Sequence, residues 1–381
     1  MVVLLWPETP DPNPTQSLKK NHPGERQRRQ EEKEKRRAKR AGQRRSDPAD
    51  PWVGQDGWDS SDESDTDGFE TFRKDRLKAY KVWKKQIYGD VGKDFASVEM
   101  VLEPFLDLKA FWKDGYTRAF IQLSLEEVLT PYLQIELCRW DPLQLIPGSL
   151  KDTPMVNAVS LEGFEWYNTV IDYSDGVRDP DEQLVPTLVK KVVFPRIEHY
   201  IKIWDCSSPT QTQCLVDLMA EAYLFVEKLP DPLWSKLVDK VSDRVMAFAK
   251  MFLAHPLSND TNQNVKGYAG SPLQERLCRR AVRVFENVMK VASEYLEPAN
   301  LQLLVLGIIV QPLLKDLKTY PNQSFAVMVL KRISDLVPAS WLANGEIPEL
   351  HNAQFITKPS PNAGGPEARI IWQTSIPLLR K

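Results

Sequence analysis

The stretch SSPTQTQCLVDLMAEAYLFVEKLPDPLWSKLVDKVSDRVMAFAKMFLA, residues 207–254, decides the fold. It holds two helix starts of one kind. Ser208 stands before Pro209 and Asp231 before Pro232. In each, a short polar side chain suits the N-cap, and the proline that follows suits the first helical position, where no N–H is needed. Behind the first start Leu215, Met219, Ala222 and Val226 recur at helical spacing, which predicts an amphipathic helix rather than a strand. A third start of the same kind, Ser271-Pro272, opens SPLQERLCRRAVRVFENVMKVASEYL, with Val282, Phe285, Met289, Ala292 and Leu296 close to helical period.

Working outward, the same periodicity extends from about residue 71 to about residue 343. KDRLKAYKVWKKQIYGDVG predicts a helix stopped by glycine. DFASVEMVLEPFLDLKAFWKD predicts another, which Pro104 either kinks or divides. Pro131 is expected to open a further short helix, PYLQIELCRW. LVPTLVKKVVFPRIEHYIKIW contains Pro186 and Pro195 and should be bent or segmented. LQLLVLGIIVQPLL, 301–314, is apolar but short for a membrane span, so a buried core helix is expected. No alternating run predicts a strand. The expectation is an all-α fold, an extended array of roughly ten to twelve packed helices, with a helical domain over 73–345 between a disordered charged tail over 1–72 and a poorly ordered tail over 346–381.

The net charge of -2 conceals an asymmetry. Residues 26–45 are strongly basic. Residues 47–67 contain Asp and Glu but no Lys or Arg. Such paired blocks with few aliphatics cannot bury enough apolar surface to offset chain entropy. Lys33, Lys35, Arg36, Arg37, Lys39, Arg40, Arg44 and Arg45 are the candidates for nuclear import or nucleic-acid contact; the plainer alternative is a solvated charged stretch. In the acidic block Ser60 has Glu63 three residues on and Ser64 has Asp67. That spacing suits acidophilic kinases, and phosphate would deepen the negative charge.

Catalytic patterns are absent from the sequence. It has no G-x-S-x-G, phosphate loop, dinucleotide fingerprint or H-E-x-x-H. The four cysteines, Cys138, Cys206, Cys214 and Cys278, form no CxxC pair, and His22, His199, His255 and His351 are isolated. We therefore expect no metal, no cofactor, no catalytic residue and no small-molecule substrate. Lys190-Lys191 and Arg279-Arg280-Arg283 could touch phosphate, but solvated helix faces are the expectation. Two Trp-Asp pairs recur at helix ends: Trp140-Asp141-Pro142 in LCRWDPLQL and Trp204-Asp205 in IKIWDCSSP. They are expected to be joints. The tryptophan closes an apolar helix, and the aspartate accepts N–H groups of the next segment.

Four runs together resemble the GC-rich sequence DNA-binding factor family (GCF C-terminal-like), which includes the paired-box-factor-binding protein homologues. They are GWDSSDESDTD (57–67), GKDFASVEMVLEPFLDLK (92–109), DGYTRAFIQLSLEEVLTPYLQIELCRWDPL (114–143) and LVPTLVKKVVFPRIEHYIKIWDCSSPTQTQCLVDL (184–218). The resemblance implies a nuclear, non-enzymatic protein with an all-α domain. It implies splicing proteins of late spliceosome and intron-lariat complexes as partners, acting in lariat assembly and disassembly. An older assignment within the family, DNA-binding transcriptional repressor, would make the basic tail a contact for DNA or RNA. No membrane partner is implied. The chain departs from the family in two places. MVVLLWPETP does not resemble the longer acidic N-terminal part usual there, which points to a short form or an incomplete start. Cys206 stands where the second Trp-Asp is usually followed by proline.

Overall fold

The computed structural model describes residues 66–143, 160–174, 179–226, 229–252, 271–295, 301, 303–318 and 323–338, and ahead of them residues 31, 50, 52, 53, 55 and 58. The chain divides into two units, 1–55 and 56–381. In the first, the described residues include a turn in which the Trp52 N–H donates to Asp50 Oδ1 and the Val53 N–H to the Asp50 carbonyl. In the second, the described elements are helical, and their number falls within the expected ten to twelve. The tail expected over 346–381 lies outside the described residues, as does most of the one expected over 1–72.

The helices, in chain order, are α1 (Thr66–Ile87), α2 (Val98–Phe111), α3 (Lys113–Arg118), α4 (Ile121–Glu136), α5 (Glu165–Ser174), α6 (Leu184–Leu188), α7 (Phe194–Ile203), α8 (Pro209–Tyr223), α9 (Pro232–Phe252), α10 (Pro272–Tyr295), α11 (Gln311–Lys318) and α12 (Gln323–Leu336). A widened π segment, Val189–Val193, joins α6 to α7, and a second, Leu303–Val310, leads into α11. Each ends two residues before a proline, Pro195 and Pro312. Proline has no N–H for the helical ladder, and its ring crowds the carbonyl four residues back. A wider turn at that point accommodates the ring without ending the helix. This is how the expected segmentation around Pro195 is realised.

Of two other prolines, Pro104 lies inside a continuous α2, which it does not divide, and Pro131, contrary to expectation, lies inside α4 rather than opening a new helix. In α4, Leu125, Leu129 and Leu133 are fully buried on either side of the proline. That packing outweighs one missing hydrogen bond. Helix α1 begins at Thr66, inside the segment assigned to the tail. As expected, it ends ahead of a glycine. A Cβ on Gly89 would lie 2.8 Å from the Lys85 carbonyl oxygen, so the chain closes the helix there only with a bare backbone.

The three Pro-led starts are built as the sequence implies. Ser208 Oγ accepts from the Gln211 N–H, Ser271 Oγ from the Gln274 N–H, and Asp231 Oδ1 from the Leu233 and Trp234 N–H groups. Packing then proceeds mostly between neighbours. α2 lies on α5, and α6 touches both α4 and α5. α9 packs on α7, and α10 on α8 and α12, while the second π segment contacts both α9 and α10. Its Val305, Leu306, Ile309 and Val310 are buried, as expected of a core segment.

Candidate functional site

The two Trp-Asp pairs are junctions, each held from outside by an arginine. Trp140 caps the short 3-10 turn Leu137–Arg139 that ends α4. Its indole is fully buried and meets Phe164 and Tyr200 edge-on, with centroids 6.0 and 5.8 Å away. The carbonyls that α4 leaves unpaired there go to Arg76 of α1. Arg76 Nη2 donates to Cys138 O (2.9 Å) and Trp140 O (2.8 Å), and Nε donates to Cys138 O (3.2 Å). The Tyr200 hydroxyl donates to Trp140 O as well. Asp141 pairs with the same arginine, Nη1 to Oδ2 at 3.2 Å. Charge assistance makes this pair stronger than a neutral bond. The next segment, whose N–H groups Asp141 was expected to accept, runs outside the described residues. Residues 144–159 lie outside the described residues.

The second junction repeats the device. Trp204 ends α7 fully buried, and its indole N–H donates to Thr212 Oγ1 at 3.2 Å. Its carbonyl accepts twice from Arg244 of α9, from Nε at 2.8 Å and Nη2 at 2.6 Å. Asp205 does cap the next turn: Oδ1 accepts from the Ser207 N–H and hydroxyl. Asn287 of α10 donates to the Cys206 carbonyl, and Arg280 donates to the Ser207 hydroxyl oxygen. Four helices therefore meet at this turn, and the departure from proline at Cys206 leaves it well held. Arg244→Ala is expected to cost about 2–3 kcal/mol, because a buried carbonyl loses two charge-assisted donors. Arg244→Lys should recover less than half, since an ammonium lacks the planar fork. Urea midpoints of the two variants check this.

Chemistry at the junctions is quiet. Burial pushes the Cys206 thiol far above its ordinary range and Cys214 up to about 11, so neither thiol is poised as a nucleophile. Burial, with the cations of Arg196, Lys202 and Arg76, holds His199 below the usual histidine range. A separate buried cluster ties α2, α3, α5 and the turn before α6 together. Lys109 Nζ sits 2.6 Å from Asp179 and 3.1 Å from Asp181, and the Tyr116 hydroxyl donates to both oxygens of Asp181 at 3.0 Å. Burial pushes the hydroxyls of Tyr116 and Tyr173 far up. The cluster is a closed, paired network, the usual form of a structural tie. Among the described residues no group of three or more His, Cys, Asp or Glu is placed to hold a metal. No helix among them is long and apolar enough to cross a membrane.

The arginine run expected to be solvated is instead stacked. Arg276, Arg279, Arg280 and Arg283 fall on one face of α10 by their spacing, and all are half-buried. Arg279 lies over Phe325 (5.2 Å), Arg280 over Phe248 (6.0 Å) and Arg283 over Trp58 (4.4 Å). Lys190 and Lys191 pair with Asp231 and with Glu126 and Glu127. Partnered cations of this kind build the fold rather than display charge.

The surface that lacks such a role is apolar. Where α2 turns into α3 and α3 into α4, Phe111 is 89% exposed, and Trp112, Phe120 and Leu123 are more than half exposed. Phe120 also has φ 54°, a left-handed conformation that costs a side chain about 1–2 kcal/mol. Exposed aromatics at a strained corner are what a docking surface offers. Of the residues expected to contact nucleic acid or mediate import, Lys33, Lys35, Arg36, Arg37, Lys39, Arg40, Arg44 and Arg45 lie outside the described residues, as do Ser60 and Ser64. Arg76, Arg244 and the Phe111–Leu123 corner were missed in the sequence.

No family model matches the chain. It is 24% identical over 70% of its length to the Intron Large complex component GCFC2 of Mus musculus, covering 35% of that protein. It is 26% identical over 35% of its length to the PAX3- and PAX7-binding protein 1 of Homo sapiens, covering 14% of it. It is 31% identical over 27% of its length to the Transcriptional repressor ILP1 of Arabidopsis thaliana, covering 11% of it. The chain thus spans about a third or less of the length of these curated relatives. They are distant relatives of this all-α chain, named for an intron complex, for binding PAX3 and PAX7, and for transcriptional repression.

Proposed function

We propose that the chain is a non-enzymatic nuclear scaffold of the GC-rich sequence DNA-binding factor family. It acts in pre-mRNA splicing, at the assembly or disassembly of the intron-lariat spliceosome. Its helical part holds splicing proteins of late complexes, and it works without a cofactor or a small-molecule substrate. The observation that carries this reading is the similarity to an Intron Large complex component over 70% of the chain. Consistent with it, the large buried side chains serve packing and the exposed aromatic corner offers a protein contact. Tagged chain recovered from nuclear extract is expected to bring down excised lariat introns and splicing proteins. Phe111→Glu with Trp112→Glu, at side chains largely outside the core, is expected to lose at least about tenfold of that recovery with an unchanged thermal midpoint. Recovery of neither lariats nor splicing proteins by the unsubstituted chain overturns the proposal.

A second reading has its own support, the similarity to a transcriptional repressor and the basic block over 26–45. In it the chain regulates transcription and touches DNA through that block. Selective binding of GC-rich over scrambled duplex at physiological salt would favour it. Binding without preference that falls steeply with salt would leave only a polybasic tail.

A further inference from the structure

Trp58 stands inside a run, Gly54–Asp67, that contains no other large apolar residue and no Lys or Arg. It is nevertheless 1% exposed. What buries it includes two guanidiniums from helices more than 200 residues away in sequence: Arg283 of α10 lies 4.4 Å from the indole ring and Arg332 of α12 lies 5.2 Å from it. Both arginines are fixed by one carboxylate, with Glu286 accepting from Arg283 at 3.1 Å and from Arg332 at 2.6 Å. A single glutamate therefore orients two cations over one ring, a pre-organised cation–π site.

From this geometry we infer that the α10–α12 face is a docking slot for a tryptophan carried in an acidic segment. In the free chain its occupant is the chain's own Trp58. Charge and anchor agree. The segment is acidic, and the slot sets two guanidiniums, Arg283 and Arg332, against one carboxylate, Glu286. The indole supplies a large aromatic contact area. While Trp58 is seated, the slot is closed to any other acidic, tryptophan-bearing segment. The device is a cis occupant that competes with a trans one, and it stands independently of the proposed role in splicing.

The test uses the full chain and a fluorescent peptide of its residues 54–66, read by anisotropy. The peptide is expected to bind the Trp58→Ala chain at least about tenfold more tightly than the unsubstituted chain, whose slot is filled. A peptide with alanine in place of the tryptophan should bind neither, and Arg283→Ala with Arg332→Ala in the Trp58→Ala chain should abolish binding. If Trp58→Ala disturbs the helical circular dichroism, Trp58→Tyr takes its place, with a smaller gain in peptide binding expected. Equal binding to filled and emptied chains, or no binding to the emptied chain, overturns the inference.

Discussion

Trp140→Ala is expected to lower the thermal midpoint of the full chain by roughly 10 °C. Replacing a fully buried tryptophan with alanine costs about 3–5 kcal/mol, and each kcal/mol moves a domain of this size by about 2–4 °C. Trp140 is 0% exposed and meets Phe164 and Tyr200 edge-on, so both the transfer and the ring contacts are lost. The carbonyl held by Arg76 and Tyr200 is still present in the variant. The loss should therefore appear as stability rather than as a rearranged helix end. Trp140→Phe should lose clearly less. Thermal unfolding followed by circular dichroism, alongside recovery of partners, separates a joint from a contact. An unchanged midpoint with one partner missing would make Trp140 a binding residue.

Lys109→Ala is expected to destabilise by about 3–5 kcal/mol, because removing one partner of a buried pair leaves the other charge uncompensated. The Asp181 side chain is wholly buried and Asp179 and Lys109 are nearly so. Two carboxylates would then share a closed site with the Tyr116 hydroxyl and the Asp181 N–H as donors but without their ammonium. Lys109→Met combined with Asp181→Asn should lose less than the sum of the two single changes. Urea midpoints of the singles and the double give the coupling, and strictly additive losses would mean that the pair does not interact.

How much of this was legible follows from how local each feature is. The starts at Ser208, Asp231 and Ser271 are written in adjacent residues, because a cap bonds to N–H groups two or three positions on. The all-α class and the buried stretch at 301–314 follow from periodicity and composition in the same way. The fates of Pro104 and Pro131 were not legible, because packing of the helix faces decides them. Arg76 and Arg244 were invisible for a sharper reason. Each serves a carbonyl 64 or 40 residues away, and an arginine in an amphipathic helix ordinarily signals only a wet face. Trp58 escaped notice because its surroundings are acidic and polar, a composition that predicts little burial, whereas its indole is buried. The basic candidates of residues 33–45 and the serines Ser60 and Ser64 are as the sequence left them.

The way the arginines grip the two junctions has a consequence for reading relatives of this chain. Arg244 holds a main-chain oxygen, and every amino acid carries that oxygen; Arg76 holds two such oxygens and the Asp141 carboxylate besides. The residue gripped by Arg244 could therefore change without disturbing the grip, whereas the arginine has no equivalent substitute. In a set of related sequences Arg244 should appear as a solitary fixed cation, without a covarying partner, on a helix otherwise free to drift. That is the signature commonly taken for a phosphate contact, and here it would denote a rivet.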